Sequence, residues 1–374
     1  MTQRPVIEKV LILGGSGRIG RCVARDIAAN TQAQITITGR LAKPDKPDNF
    51  LWQSNQSQEY LAIDLNETEY LSEIINQYNL VIHCAGPFHH RDTNVLEICI
   101  EKGINYIDVS DHRSYTSKAL KLHDRAIAAN TTAIINTGIF PGISNSMVRQ
   151  CVEKLDKAEK IHLSYIVSGS GGAGITVMRT TFLGLQNPFH AWIDNTWQSV
   201  KPYTEREIIN FPKPYGDSGV YWYDMPETFT LPKAFPTVKT VITKFGSSPD
   251  FYNHLTWIAA NIFPKFWIKN PVGVEFLSYV SHFMTDITDK FSGIGVAIRA
   301  EVTGIKDNQE ITVCSTLFHE NTAIAAGIGA GSIAQLILQG RLNKPGIYPV
   351  EEALSTDLFE EVMEGRGINI FANC

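Results

Sequence analysis

The chain lacks the features that would assign it to a nucleic acid, a metal or a membrane span. It has no basic run, and its net charge is −5 over 374 residues; nucleic acid is therefore not expected as a partner. Its six cysteines, Cys22, Cys84, Cys99, Cys151, Cys314 and Cys374, are scattered with no C-x-x-C pair. That pattern fits reduced thiols in a cytoplasmic protein better than a disulfide framework or a zinc site. There is no H-E-x-x-H, and the histidines show no ligand spacing, so no metal is expected. The first apolar run is too short for a signal peptide. No segment reaches the length of a membrane span. The nearest, Leu255 to Ile268, is interrupted by Asn261, Pro264 and Lys265. Its aromatics (Trp257, Phe263, Phe266, Trp267) read either as a buried helix pair or as a greasy pocket or membrane-facing surface. No internal repeat or low-complexity tract is visible.

Hydrophobic residues make up 44% and charged residues 19% of the chain. Both values suit a folded globular protein, and the length suits two domains. The most informative segment is Val10 to Gly20, V-L-I-L-G-G-S-G-R-I-G. An apolar run ends in the turn Gly15-Ser16-Gly17-Arg18-Ile19-Gly20, and a helical pattern follows. A strand, a tight turn and a helix N-terminus together make a pyrophosphate site. On this reading Gly15 allows the turn, Gly17 lets the phosphates approach the backbone, and Gly20 lets the helix pack close to the sheet.

Strand patterns at Lys9–Leu13, Ile35–Thr38, Tyr60–Ile63, Leu80–Cys84, Tyr106–Val109 and Ala133–Asn136 alternate with helical stretches. In the first helix, Ile19, Val23 and Ile27 form one stripe; the last helical stretch runs from Ser117 to Asn130. The pattern predicts an α/β fold: a Rossmann, doubly wound parallel sheet over residues 1–145. After Gly142, strands at Ile161–Val167, Glu207–Asn210, Val238–Lys244, Val296–Thr303 and Glu310–Leu317 are not regularly alternated with helices. That predicts an α+β second domain over 146–320 with a mainly antiparallel sheet, which offers a dimer surface. Helical patterns cover Phe251–Ile262 and Gly273–Thr285. A C-terminal segment, 321–374, with a helix at Thr322–Leu338, is expected to pack back on the first domain.

The second strand ends in Gly39-Arg40 where an NAD site would carry an acid for the ribose hydroxyls. Arg40, Lys43 and Arg18 in the glycine turn can instead grip a 2′-phosphate, which points to NADP(H). The alternative is that Arg40 and Lys43 are solvated loop charges. Asp64, ending the third strand, either sits near the adenine or serves as a turn former or helix cap.

In open α/β sheets, ligands bind beyond the carboxyl ends of the strands. The fourth strand ends in His83-Cys84-Ala85-Gly86-Pro87-Phe88, where Ala85, Gly86 and Pro87 would let a cofactor pass over the backbone. The fifth ends in Tyr106-Ile107-Asp108-Val109-Ser110-Asp111-His112, and the sixth in Asn136-Thr137-Gly138-Ile139-Phe140-Pro141-Gly142. G-G-S-G-R-I-G, C-A-G-P-F, Y-I-D-V-S-D and G-I-F-P-G-I, with the Gly-rich Ser168–Gly174 and Lys344-Pro345-Gly346-Ile347, give the chain a resemblance to the saccharopine dehydrogenase-like oxidoreductase family. The resemblance implies a Rossmann domain, an inserted α/β substrate domain, a returning C-terminal segment and use of NADP(H). The family's well-understood members reduce an imine between an amino acid and an aldehyde or keto acid; related members act on polyamine precursors or lipid-like substrates. This second domain is aromatic and apolar, with no arginine cluster for several carboxylates, which favours a less charged, apolar small-molecule substrate.

Hydride transfer to a C=N, C=O or C=C bond needs a proton donor, and Asp108 and His112 are the candidates. Their alternative roles are a helix cap or ribose binding for Asp108 and a solvent-exposed position for His112. His89 and His90 could also face the site. None of the 13 tyrosines has a lysine four positions on, so the Tyr-x-x-x-Lys relay of short-chain dehydrogenases is missing. Neither Gly14-Gly15-Ser16-Gly17 nor Gly169-Ser170-Gly171 is in register for a hydrolase elbow. A non-catalytic NADP-binding regulatory protein, docking a partner or a membrane through its aromatic segment, remains the rival reading.

Overall fold

The computed structural model describes residues 8–41, 58–169 and 174–372. Lys43 and residues 170–173 of the Gly-rich segment lie outside the described residues. The chain begins with β1 (Lys9–Leu13), α1 (Arg18–Asn30), β2 (Gln34–Gly39), β3 (Gln58–Ala62), α2 (Thr68–Ile75), β4 (Leu80–His83), α3 (Asn94–Lys102), β5 (Asn105–Asp108), α4 (Arg113–Leu120), α5 (His123–Ala128) and β6 (Thr132–Ile135). It continues with α6 (Ile143–Val152), β7 (Lys157–Ser168), α7 (Ile175–Gly184), β8 (Phe189–Ile193), β9 (Thr196–Val200), β10 (Glu207–Phe211), β11 (Gly216–Trp222), α8 (Glu227–Ala234), β12 (Thr240–Ser248), α9 (Phe251–Asn261), α10 (Lys265–Lys269), α11 (Pro271–Ser292), β13 (Val296–Lys306) and β14 (Gln309–His319). It ends with α12 (Thr322–Leu338), β15 (Gly346–Pro349), α13 (Val350–Ala353), α14 (Thr356–Glu364) and β16 (Ile370–Ala372).

The described residues form two compact units. The first draws on Met1–Gly142 and Ile324–Ala353, the second on Ile143–Ala323 and Leu354–Cys374. The C-terminal segment is therefore divided: Ile324–Ala353 cluster with the first unit, whereas Leu354 onward clusters with the second.

The first unit is a seven-stranded sheet of order β15-β6-β5-β4-β1-β2-β3. Every pairing in it is parallel. Val10 to Leu13 are fully buried because helices cover both faces of the central strand. On α1 the stripe of Val23, Ala24 and Ile27 faces inward, as its spacing requires. One core layer gathers Leu11, Leu13, Leu71, Ile75, Val81, Leu96 and Tyr106. The strand order reverses beside β1, which pairs with β2 on one side and β4 on the other. This is the switch point at which such sheets open a crevice.

The seventh strand, β15, comes from Gly346–Pro349 and pairs with β6. Four residues ending in proline carry no alternation to read, so sequence patterning did not anticipate it. The stretch Ser117–Asn130 was expected as one helix but is part of two, α4 and α5, which break at Lys121 and Leu122. Neither residue is a helix breaker. Helix α12 lies against α1: a Cβ on Gly327 would meet Cys22 at 2.5 Å, and one on Gly331 would strike Asp26.

The second unit holds a seven-stranded sheet of order β10-β11-β12-β7-β13-β14-β16. Only β12 and β7 pair in parallel; the rest are antiparallel, so the sheet is mainly antiparallel as expected. A separate hairpin, β8–β9, turns on Asp194 and Asn195, both at positive φ. Cys22, Cys84, Cys99 and Cys151 are free thiols. Cys314 on β14 is disulfide-bonded, which corrects the expectation of reduced thiols throughout. The scattered cysteine spacing gave no sign of this bond. Among the described residues, no helix is long and apolar enough to cross a membrane.

Candidate cofactor and active site

The glycine turn sits between β1 and α1, at the switch point. Gly14, not Gly15, takes the left-handed conformation, with φ +73°. A Cβ there would also stand 2.8 Å from the Ala85 backbone. Gly14 therefore brings the β1 turn directly against the β4 turn. Gly15 instead makes room for β2, since a Cβ on it would lie 2.6 Å from Ile37 Cβ. A Cβ on Gly20 would strike the Gly14 carbonyl, so glycine there seats α1 on the turn, as its spacing suggested.

The turn's own amides are partly used. The Gly15 N–H donates to Ile12 O at 3.1 Å, Ser16 to Thr38 O at 3.0 Å and Gly17 to Gly14 O at 2.9 Å. The next three, on Arg18, Ile19 and Gly20, open α1 and have no acceptor within the helix. They point out of the helix N-terminus with its partial positive charge. Among the described residues, only the Gly14 carbonyl comes within 4 Å of a Cβ built on the exposed Gly17, so backbone and space are open there. An anionic pyrophosphate fits this cradle.

Arg18 and Arg40 are exposed, and neither makes an ion pair among the described residues. Asp64 is exposed beyond β3, and its Oδ1 accepts from the Asn66 N–H at 3.0 Å. That is an Asx turn leading into α2, so the turn-former alternative accounts for Asp64. Sequence reasoning missed a further cation, Arg91. Its Nε–H donates to Ala85 O at 2.8 Å and so holds the β4 turn. Its pKa is pushed below the usual arginine value by partial burial and by the nearby Arg40 charge. A third guanidinium thus stands beside the Ala85-Gly86-Pro87 turn, close enough to Arg40 to feel it.

Below that turn lies His83, fully buried at the end of β4. The Ala85 N–H donates to its Nδ1 at 3.2 Å, which puts the proton on Nε2, and Nε2 has no partner. Burial and the Arg91 charge push its pKa down to about 3, so the ring is neutral. Its ring packs at a tilt against Phe88, which meets Tyr115 edge-on, and the Tyr115 hydroxyl lies 2.7 Å from that of Tyr106. This chain of rings fixes the floor of the turn.

The structure separates the two expected proton donors. Asp108 is fully buried. Its Oδ1 accepts from the Ser110 N–H at 3.0 Å and the Asn136 N–H at 2.9 Å, tying the end of β5 to that of β6. Burial raises its pKa to about 6, against the pull of those amides. A carboxyl so enclosed ties two strand ends, a role outside the donor, helix-cap and ribose-binding readings of the sequence. His112 is half-buried at the start of α4, its ring 4.4 Å from that of His89. Burial, then the neighbouring His89 and His90, push its pKa down to about 4, so it is neutral near pH 7 and not an imidazolium acid. His89 is pushed down as well, by burial and by His90.

Three residues further on, Asp111 carries a second carboxyl whose pKa is raised. It is half-buried, and burial together with the Asp108 charge raises it to about 6. The motif Asp108-x-x-Asp111 was visible in the sequence; which of the two is the more enclosed was not. Cys84 is held protonated, its pKa driven up by burial. No group of His, Cys, Asp and Glu among the described residues could hold a metal ion.

Residues 10–134 match the saccharopine dehydrogenase NADP binding domain family. A "probable mitochondrial saccharopine dehydrogenase-like oxidoreductase" of Arabidopsis thaliana is 26% identical over 145 residues, 33% of this chain and 30% of that protein. A saccharopine dehydrogenase-like oxidoreductase of Homo sapiens is 24% identical over 191 residues, 47% of this chain and 44% of that protein. The matches thus span less than half the length of these curated relatives. The fold is similar to that of the L-Glu-forming saccharopine dehydrogenase of Saccharomyces cerevisiae, with TM-score 0.69 and 14% identity over 98% of this chain and 100% of that one.

Proposed function

We propose that this chain, saccharopine dehydrogenase-like and carrying an NADP-binding domain of that type over residues 10–134, is an NADP(H)-dependent oxidoreductase that reduces a C=N, C=O or C=C bond of a small, weakly charged substrate. The observation that carries this is the open cradle of Arg18, Ile19 and Gly20 amides, flanked by the unpaired Arg18 and Arg40 with no acid at the end of β2. The amides take the pyrophosphate, and the two guanidiniums take the 2′-phosphate in preference to the bare ribose of NADH. When bound, the nicotinamide supplies or accepts the hydride. Gly14, Ala85 and Gly86 keep the floor of the crevice flat, and Arg91 holds that turn in place.

Asp111 is the proposed proton donor. With a pKa near 6 it is partly protonated at neutral pH and can hand a proton to the reduced carbon, nitrogen or oxygen. Asp108 and Asn136 position the loop that carries it. Neutral His112, beside His89, is left as a hydrogen-bonding group at the crevice edge.

Four arginines of the second unit support a substrate without several carboxylates. Arg149 pairs with Glu153, Arg179 with Glu275, Arg206 with Asp250 and Arg299 with Glu301. Each is already neutralised within the fold. A cytoplasmic setting is part of the same proposal: Cys22, Cys84, Cys99 and Cys151 are free thiols and fit it, while the Cys314 disulfide weighs against it.

The test is label transfer. The purified chain is incubated with NADPH deuterated at C4 and a panel of imines, ketones and enals, and products are read by mass spectrometry. Deuterium on carbon in one class of product is expected. Tight NADPH binding with no label in any product would favour the non-catalytic reading instead.

A further inference from the structure

Helix α11 is amphipathic in the wrong sense for a soluble helix. The face it turns to the protein carries mostly small side chains: Gly273, Val274, Ser278 and Thr285 are buried, and the Ser278 hydroxyl donates to Val274 O at 2.7 Å. The face it turns outward is large and apolar. Val272, Phe276, Tyr279, Phe283, Ile287 and Phe291 follow one another every three or four residues, with Phe283 68% and Phe291 89% exposed. Helix α10 extends the strip through Phe266, 66% exposed, and Trp267, whose ring lies 6.2 Å from that of Phe276. Trp257 on α9 and Ile262 and Phe263, in the short link from α9 to α10, are exposed as well. With about 150–250 Å² for each large apolar side chain, the exposed patch is on the order of 1,400 Å². The largest patch on an ordinary monomer is about 300–600 Å². The sequence reading of a buried helix pair is thereby corrected: these aromatics are on the surface.

The charges choose the occupant. The acids of this region are engaged: Glu275 takes a bidentate pairing from Arg179, and Asp286 sits 2.9 Å from His282 Nδ1. Asp289 also has a partner. The cations are free: Lys265, Lys269 and Lys290 are exposed and make no ion pair among the described residues. The strip therefore shows aromatics, Tyr279 and the two tryptophans, edged by unpaired ammonium groups. A second copy laid on the same face would bring like charges together. A protein interface of this size would also carry about ten hydrogen bonds, and the outer face of α11 offers little beyond the Tyr279 hydroxyl, Asp286 and Lys290. Aromatic rings with lysines that can reach upward match the headgroup layer of a phospholipid membrane.

We propose that the outer face of α9 to α11 docks the protein on a phospholipid membrane, with α10 and α11 lying flat in the headgroup layer. The 22 residues of α11 span about 33 Å, enough for a long, shallow contact rather than a crossing. The proposal goes beyond the oxidoreductase reading and does not depend on it.

The experiment is flotation of the full chain with phosphatidylcholine vesicles, with and without phosphatidylserine, alongside quenching of tryptophan fluorescence by brominated phosphatidylcholine. Co-flotation is expected, stronger with phosphatidylserine, and quenching should fall in the W257F/W267F variant. F283D and F276D should each cut partitioning about tenfold or more. K265E/K269E/K290E should abolish the preference for phosphatidylserine. Circular dichroism and the thermal midpoint identify any variant that misfolds. Failure of the wild-type chain to float with either vesicle overturns the proposal. So does a dimer in analytical ultracentrifugation that F283D splits while vesicles are ignored, which would assign the face to a second copy.

Discussion

Replacing Arg40 with aspartate should reverse the preference of the crevice between the two nicotinamide cofactors. Arg40 follows β2, is exposed, and has no carboxylate paired to it among the described residues. Asp64, the acid ending β3, already spends Oδ1 on its own turn. The guanidinium is therefore available to a phosphate. A hydrogen bond to a charged group contributes about 1.5–3 kcal/mol, and exposure places this one near the lower end. Losing it costs NADPH about tenfold in affinity. The new carboxylate adds repulsion of the 2′-phosphate, so the total loss should be about 30- to 100-fold. NADH has no such phosphate and should bind as well as before or slightly better. Arg40→Lys should fall between, since a point charge cannot grip in a bidentate way. The assay is calorimetric titration of both cofactors at low and high salt, with the wild-type preference shrinking as salt rises. An unchanged NADPH-to-NADH ratio in Arg40→Asp would remove Arg40 from the site and refute the charge argument.

Two further outcomes concern the β5 loop. If Asp111 donates the proton, activity should fall about tenfold per pH unit above its pKa of about 6, and Asp111→Asn should lose about 100-fold or more together with that limb of the pH–rate profile. A variant that keeps the limb would acquit Asp111. For Asp108, the folded state holds the proton more tightly than the unfolded chain, with a pKa of about 6 against 3.8. The stabilisation is present below the unfolded value and lost as pH rises through about 6, a change on the order of 3 kcal/mol. Asp108→Asn, whose Oδ1 can still accept from Ser110 and Asn136, should flatten that slope in urea melts on either side of the window.

Much of the first unit could be read from local pattern because it is local. The apolar run of β1, the glycines and the stripe on α1 are all set within one strand–turn–helix, and each glycine's neighbour explains its identity. The pairing of Gly14 with Ala85 was not legible, since it joins residues distant in sequence. Arg91 was missed for the same reason: nothing local says that its Nε reaches back to Ala85. The β8–β9 hairpin did carry a signal, Asp194-Asn195 at positive φ between two alternating runs, and the hairpin rule could have found it. The choice between Asp108 and Asp111 turns on which side chain the Ser110 and Asn136 amides capture, a property of packing. The aromatic stretch was ambiguous because helical periodicity is the same whether the apolar face looks inward or outward. Only the small residues on the other face of α11 decide it.

The most direct test of the central claim is a calorimetric and fluorescence titration of the wild-type chain with NADPH and NADH. The account predicts tight NADPH and weak NADH, with the difference carried by Arg18 and Arg40. Binding of neither would contradict it, because the amides at the start of α1 would then not be the pyrophosphate cradle on which the proposed reaction stands.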